Sequence, residues 1–171
     1  MSQSKCVFLD RDGVLNAELG DYIQNIEDLI IPEGVPEALK ALKKAGYLLI
    51  VITNQAGIDK GLYGPDLVYA IHEQMQNASD GALDDLYFCP YHPDFSGKSL
   101  SRKPDSLLIE KAIAKYGIDA AQSWMIGDRA RDMEAGKKVG LNTIHILAEN
   151  EALAGDYAAE NLLAASSIIL A

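Results

Sequence analysis

Residues 6–16, CVFLDRDGVLN, run from an apolar stretch into two carboxylates two positions apart, Asp10 and Asp12. A carboxylate at the end of a buried strand is costly to desolvate unless a metal ion, a basic side chain or a reaction meets it. Two later apolar runs end the same way, on Thr53 in IVIT and on Asp128 in MIGD, and SRKPD adds a cation at Lys103. Each alone has an ordinary reading: Asp10 as a turn acid, Thr53 as a strand-end hydroxyl, Asp128 as a helix cap. Together they suit phosphoryl transfer. Mg²⁺ on Asp10 and Asp128 would screen the repulsion between a carboxylate and a phosphate dianion, leaving Asp10 free to attack. Asp12 would protonate the departing oxygen and then activate the water that hydrolyses the aspartyl phosphate, while Thr53 and Lys103 stabilise the transferring oxygens.

That chemistry needs the four segments at one edge of a rigid scaffold. Short apolar runs alternate with helical patterns along the chain, which predicts α/β: a three-layer, Rossmann-like parallel sheet with helices on both faces. Strands are expected over 5–10, 47–53, 83–89, 123–127 and 142–147, with SSIIL near the end as an edge strand. The clearest helix follows Gly34, where Pro36 suits a first turn, Val35, Ala38, Leu39 and Leu42 share a face, and Gly46 stops it. Residues 65–77, 105–116 and 130–139 also read as helices. In open parallel sheets ligands bind at the carboxyl ends of the strands, where Asp10, Thr53 and Asp128 fall.

With 171 residues, 49% of them hydrophobic, the chain suits one domain. Its formal net charge of −10 repels nucleic acid and anionic membranes, so neither is an expected partner. Two cysteines and no apolar run of about 18 residues point to a soluble cytoplasmic protein. A monomer is expected.

The motifs FLDRDGVLN, VITNQAGI, SRKPD and MIGDRARDMEAG, in that order, resemble those of the haloacid dehalogenase superfamily of phosphatases. With TNQAGIDKG, CPYHP and RKP they resemble the branch that acts on sugar bisphosphates and histidinol phosphate. The resemblance implies Asp10 as nucleophile, Asp12 as acid and base, and Thr53 and Lys103 as phosphoryl stabilisers. It implies Asp10, the backbone carbonyl of Asp12 and Asp128 as Mg²⁺ ligands, and a small phosphorylated sugar as substrate. Glu18, Gly20, Tyr22, Asn54, Gln55, Arg102 and Arg129 fall where the family contacts substrate.

That branch commonly carries a zinc loop of Cys, His and Cys-x-Cys. Here Cys89 and His92 remain, but Ser99 and Ser101 stand at the Cys-x-Cys places, so no zinc is expected and hydrogen bonds or packing should hold the loop. His72, His145 and Trp124 read as structure. Asp132 has two readings: ordering the loop around Asp128, or starting a helix.

The segments before Gly34 and between Gly57 and Arg102 leave no room for a folded cap. The loops at 18–22 and 90–98 would then wall an open site, and Lys60, Arg102, Lys103 and Arg129 would form a basic rim suited to a small anion. A signalling receiver domain is the rival from another class. It also holds an aspartyl phosphate with Thr, Lys and Mg²⁺, but an acid two residues after the nucleophile favours turnover over storage.

Overall fold

The computed structural model describes residues 3–148 and 151–171. Among these, six strands form one sheet: β1 (Cys6–Leu9), β2 (Leu48–Asn54), β3 (Asp85–Cys89), β4 (Trp124–Gly127), β5 (Asn142–Ile146) and β6 (Tyr157–Ala159). Their order is β3-β2-β1-β4-β5-β6, and every neighbouring pair is parallel. Five helices cover it: α1 (Val35–Lys44), α2 (Pro65–Ala78), α3 (Leu107–Tyr116), α4 (Ala130–Lys138) and α5 (Leu162–Leu170).

Successive side chains of a strand point to opposite faces, and the centre of this sheet is buried on both, so β1 and β4 are apolar throughout. Val7, Leu9, Leu49 and Val51 face one core with Leu39 and Leu42 of α1, Ile71 and Met75 of α2, and Leu162 and Ala165 of α5. Cys6, Phe8, Ile50 and Ile52 face the other core with Leu108, Ile109 and Ala112 of α3 and Met133 and Ala135 of α4. The result is the expected three-layer arrangement. Burial pushes the Cys6 thiol far above its usual range, which keeps it an inert part of the core.

The last strand differs from expectation. SSIIL lies inside α5, and Tyr157–Ala159 is the edge strand instead. Asn161 caps α5 by accepting from the backbone N–H of Ala164 at 2.9 Å, and Ser166 and Ser167 turn their hydroxyls back to the Leu163 carbonyl. A β-branched run after a strong N-cap therefore continues as a helix whose Leu162 and Ala165 are buried against α1 and β6.

From β1 the chain moves outward through β2 to β3, then returns to β4 on the other side of β1 and moves outward to β6. The carboxyl ends of β1 and β4 therefore flank the point where strand order reverses, the place where such sheets open a crevice. A hydrogen bond of 2.9 Å from the Asp10 N–H to the Ile126 carbonyl ties these two strand ends together. No folded cap interrupts the described chain: a single 3₁₀ turn at Ile26–Asp28 lies between β1 and α1, and α2 fills the connection from β2 to β3. Among the described residues, no helix is long and apolar enough to cross a membrane.

Candidate active site

Asp10 follows β1 and is 4% exposed. Lys103, 2% exposed, places its Nζ 2.8 Å from Asp10 Oδ1 and 2.7 Å from Asp132 Oδ1, and donates to the Ile52 carbonyl at 2.7 Å. Lys103 is therefore an interior group and not part of a rim. Burial alone would discharge this ammonium, but the two carboxylates outweigh it and raise its pKa, so the charge stays.

Asn54 fixes the lysine from behind. Its Nδ2 donates to the Lys103 carbonyl and its Oδ1 accepts the Lys103 N–H, each at 3.1 Å. Expected to contact substrate, Asn54 spends both ends of its amide on the Lys103 backbone while lining the neighbouring pocket.

Asp132 is fully buried. One oxygen meets Lys103 and the other accepts the Arg129 N–H at 3.0 Å, so this residue starts α4 and also orders the charged cluster. Asp128 lies alongside, and oxygens of Asp10, Asp128 and Asp132 fall within 4.8 Å of one another. Two glycines make that crowding possible. A Cβ on Gly13, which has a φ of +81°, would run into the Asp128 carboxylate, and one on Gly127 would run into Asp132.

Crowding raises both outer acids. Burial first, and then the Asp132 charge, push Asp10 up to about 7 and Asp128 up to about 6. Three hard oxygen donors around one buried ammonium form a site short of positive charge, which fits Mg²⁺. Asp10 and Asp128 are the residues that would hold it, since both oxygens of Asp132 are engaged.

The Asp12 carboxylate stands outside that group. The Arg11 carbonyl accepts from the N–H groups of Val14, Leu15 and Asn16, a tight turn that folds the chain back over Asp12. Three side chains then donate to it: Arg11 Nη2 at 2.9 Å and Asn16 Nδ2 at 3.1 Å to Oδ1, and Gln55 Nε2 at 2.9 Å to Oδ2. Gln55 also donates to Thr53 Oγ1 at 2.9 Å. This leaves the Thr53 hydroxyl hydrogen for another acceptor.

Residues 100–165 match the HAD-hydrolase-like family model. The D-glycero-beta-D-manno-heptose-1,7-bisphosphate 7-phosphatase of Haemophilus ducreyi is 38% identical over 160 residues, 89% of this chain and 87% of that protein. This chain belongs to the haloacid dehalogenase-like phosphatases. The D-glycero-alpha-D-manno-heptose-1,7-bisphosphate 7-phosphatase of Burkholderia mallei is 36% identical over 158 residues, 88% of this chain and 83% of that protein. Among solved structures, D,D-heptose 1,7-bisphosphate phosphatase from B. bronchiseptica, complexed with magnesium and phosphate, superposes with a TM-score of 0.86 at 26% identity. It covers 97% of this chain and 98% of its own.

In this haloacid dehalogenase-like chain a pocket of about 290 Å³ opens beside Asp12, with Arg11, Gly20, Tyr22, Asn54 and Arg131 among its walls. Lys60 sits with Nζ 5.0 Å from the centre of the Tyr22 ring. Arg129, expected to face substrate, pairs with Asp128 at 3.3 Å and with Glu18 at 3.6 Å. Arg102 donates to the Tyr91 carbonyl at 3.2 Å. Arg131, which sequence reasoning did not single out, has no carboxylate within salt-bridge distance among the described residues. Arg11 was also missed; its position between two acids was the available signal.

The loop at 90–98 does not line this pocket. Asp59 pulls it aside, accepting the His92 N–H at 2.8 Å and the Ser96 hydroxyl. At its base Ser99 and Ser101 share a hydrogen bond of 2.7 Å, and Ser101 donates to Cys89 Sγ at 3.1 Å. His92 Nδ1 turns away to accept the Asp94 N–H, and its ring packs edge-on against Phe95.

Proposed function

We propose that the chain is a Mg²⁺-dependent phosphatase that removes the 7-phosphate of D-glycero-D-manno-heptose 1,7-bisphosphate through an aspartyl phosphate on Asp10. The observation that carries this is the pairing of a buried carboxylate and ammonium, Asp10 and Lys103, with a second acid beside them held by three donors. Bound at Asp10 and Asp128, Mg²⁺ would supply charge neutralisation for the phosphoryl oxygens. Asp10 Oδ attacks phosphorus as the bond to the sugar oxygen breaks, and Asp12 gives its proton to that oxygen. The carboxylate left on Asp12 then takes a proton from water, which attacks the aspartyl phosphate and releases inorganic phosphate. Lys103 and the Thr53 hydroxyl stabilise the charge on the transferring oxygens.

A bisphosphate suits the surroundings. With Lys103 at the reacting phosphate and Arg129 engaged by two acids, Arg131, Lys60 and Arg102 remain to attract a second dianion. Histidinol phosphate would bring a cationic amine to the same groups. Sustained turnover separates this reading from a receiver domain.

The test is phosphate release from a panel holding both anomers of heptose 1,7-bisphosphate, histidinol phosphate and simple monophosphates, with and without Mg²⁺. Mg²⁺-dependent turnover should be most efficient on one of the heptose bisphosphate anomers. More efficient hydrolysis of histidinol phosphate than of both anomers would reject the substrate assignment.

A further inference from the structure

Beyond the groups that touch Asp12 stands a tyrosine that the mechanism has not used. Residues 55–62 form a compact turn in which the N–H groups of Ile58, Lys60, Gly61 and Leu62 bond back to the carbonyls of Gln55, Ala56, Ile58 and Gly57. The turn brings Tyr63 back beside Gln55, and its ring lies so close over Gly57 that a Cβ there would overlap it. The Tyr63 hydroxyl donates to Gln55 Oε1 at 2.6 Å. The Tyr22 ring packs against it with centroids 6.2 Å apart, and Lys60 covers the Tyr22 ring in turn.

A carboxamide has one accepting end and one donating end. Gln55 is buried, at 1% exposure, and directs its donating end at Asp12 and Thr53 together. An ionised Asp12 would select that orientation unaided. Once Asp12 carries the proton destined for the leaving oxygen, however, it becomes a donor, and an amide free to turn over could offer Oε1 and retain that proton. With the Tyr63 hydroxyl on Oε1, turning the amide would break three hydrogen bonds. Burial raises the Tyr63 phenol to about 12, so it remains a donor at neutral pH.

We propose that Tyr63 is a positioning residue for leaving-group protonation: its hydroxyl locks the Gln55 amide with the donating end on Asp12 and Thr53. The proton on Asp12 is then left for the sugar oxygen, and the Thr53 hydroxyl hydrogen for the phosphoryl group. The proposal rests on the assignment of Asp12 as the general acid.

Leaving-group dependence tests it. kcat/KM covers the steps up to formation of the aspartyl phosphate, in which a sugar alkoxide needs a proton and p-nitrophenolate does not. Tyr63→Phe keeps the ring and removes the hydroxyl. It should lower kcat/KM about tenfold on a sugar phosphate and less than about twofold on p-nitrophenyl phosphate. Gln55→Glu, which can still accept from Tyr63 but cannot donate to Asp12 or Thr53, should lower kcat/KM on both substrates, and more on the sugar phosphate. Equal losses on the two substrates for both variants, or no loss on the sugar phosphate, would overturn the proposal. Asp12→Asn run in parallel separates the two levels. If it shows the asymmetry and Tyr63→Phe does not, the positioning role fails alone. If Asp12→Asn shows none, the acid assignment fails and the positioning role with it.

Discussion

Two ends of the same sheet edge are held by opposite means. At β1 and β4, Asp10, Asp128 and Asp132 crowd around the ammonium of Lys103, nearly all of it out of water. At the end of β3, two strands from β1, Cys89, Ser99 and Ser101 form a neutral chain of hydrogen bonds, and Asp59 braces the loop beyond. The first region is poised for a divalent cation because its carboxylates outnumber its cation. The second already satisfies its polar groups with one another. A cluster left short of positive charge is where a sheet can do chemistry, and a satisfied one is where it holds shape.

The largest break in that contrast comes from the nucleophile. Asp10→Asn should abolish turnover, because an amide neither attacks phosphorus nor supplies an anionic ligand. Asp12→Asn should cost about a hundredfold or more on sugar phosphates. Phosphate release measures both, and an Asp10→Asn variant with wild-type activity would end the mechanism.

Removing the shared cation comes next. Lys103→Ala leaves Asp10 and Asp132 facing each other in the interior, a loss of about 3 to 5 kcal/mol by analogy with broken buried pairs. Mg²⁺ should recover part of that loss, as read by urea unfolding with and without the ion. A loss that Mg²⁺ leaves unchanged would argue against the cation assignment.

The raised acids set the pH response of the metal-free protein. Asp10 at about 7 and Asp128 at about 6 hold protons in the folded chain that the unfolded chain has already released. That contribution is fully present below the ordinary carboxylate range and is lost as pH rises through the folded values. Metal-free protein should therefore melt lower at about pH 8 than at about pH 5, and Mg²⁺ should flatten the trend, a comparison that calorimetry makes directly. A metal-free melting temperature that rises over that interval would contradict the crowding described here.

The neutral end should respond least. Ser101→Ala removes one link to Cys89 and should cost about 1 kcal/mol in denaturant unfolding. The purified wild type should carry no stoichiometric zinc and keep its activity in a zinc-selective chelator. One zinc per chain by metal analysis would erase the contrast between the two ends.

Much of this could be read along the chain. Asp10, Thr53 and Asp128 end apolar runs, and in a parallel sheet the ends of neighbouring strands must meet, so their convergence follows from local pattern and one topological rule. Asn54, Arg129 and Asp132 were less legible. Whether an amide faces substrate or a backbone 49 residues away depends on where the segment after β3 returns, and no local periodicity encodes that. The edge strand was misplaced for a related reason: SSIIL has strand-like composition, but the Asn161 cap and packing against α1 hold it helical.

By itself, then, the sequence determined the alternation of strands and helices, the order of the four motifs and the chemical types at the strand ends. These are properties of short windows, set by hydrophobic period and side-chain chemistry. Only the tertiary structure decided which charges are spent and which are left over: Arg129 on Asp128 and Glu18, Lys103 between Asp10 and Asp132, Tyr63 on Gln55. Pairing energies depend on distance and burial, and both arise from contacts between segments far apart in the chain.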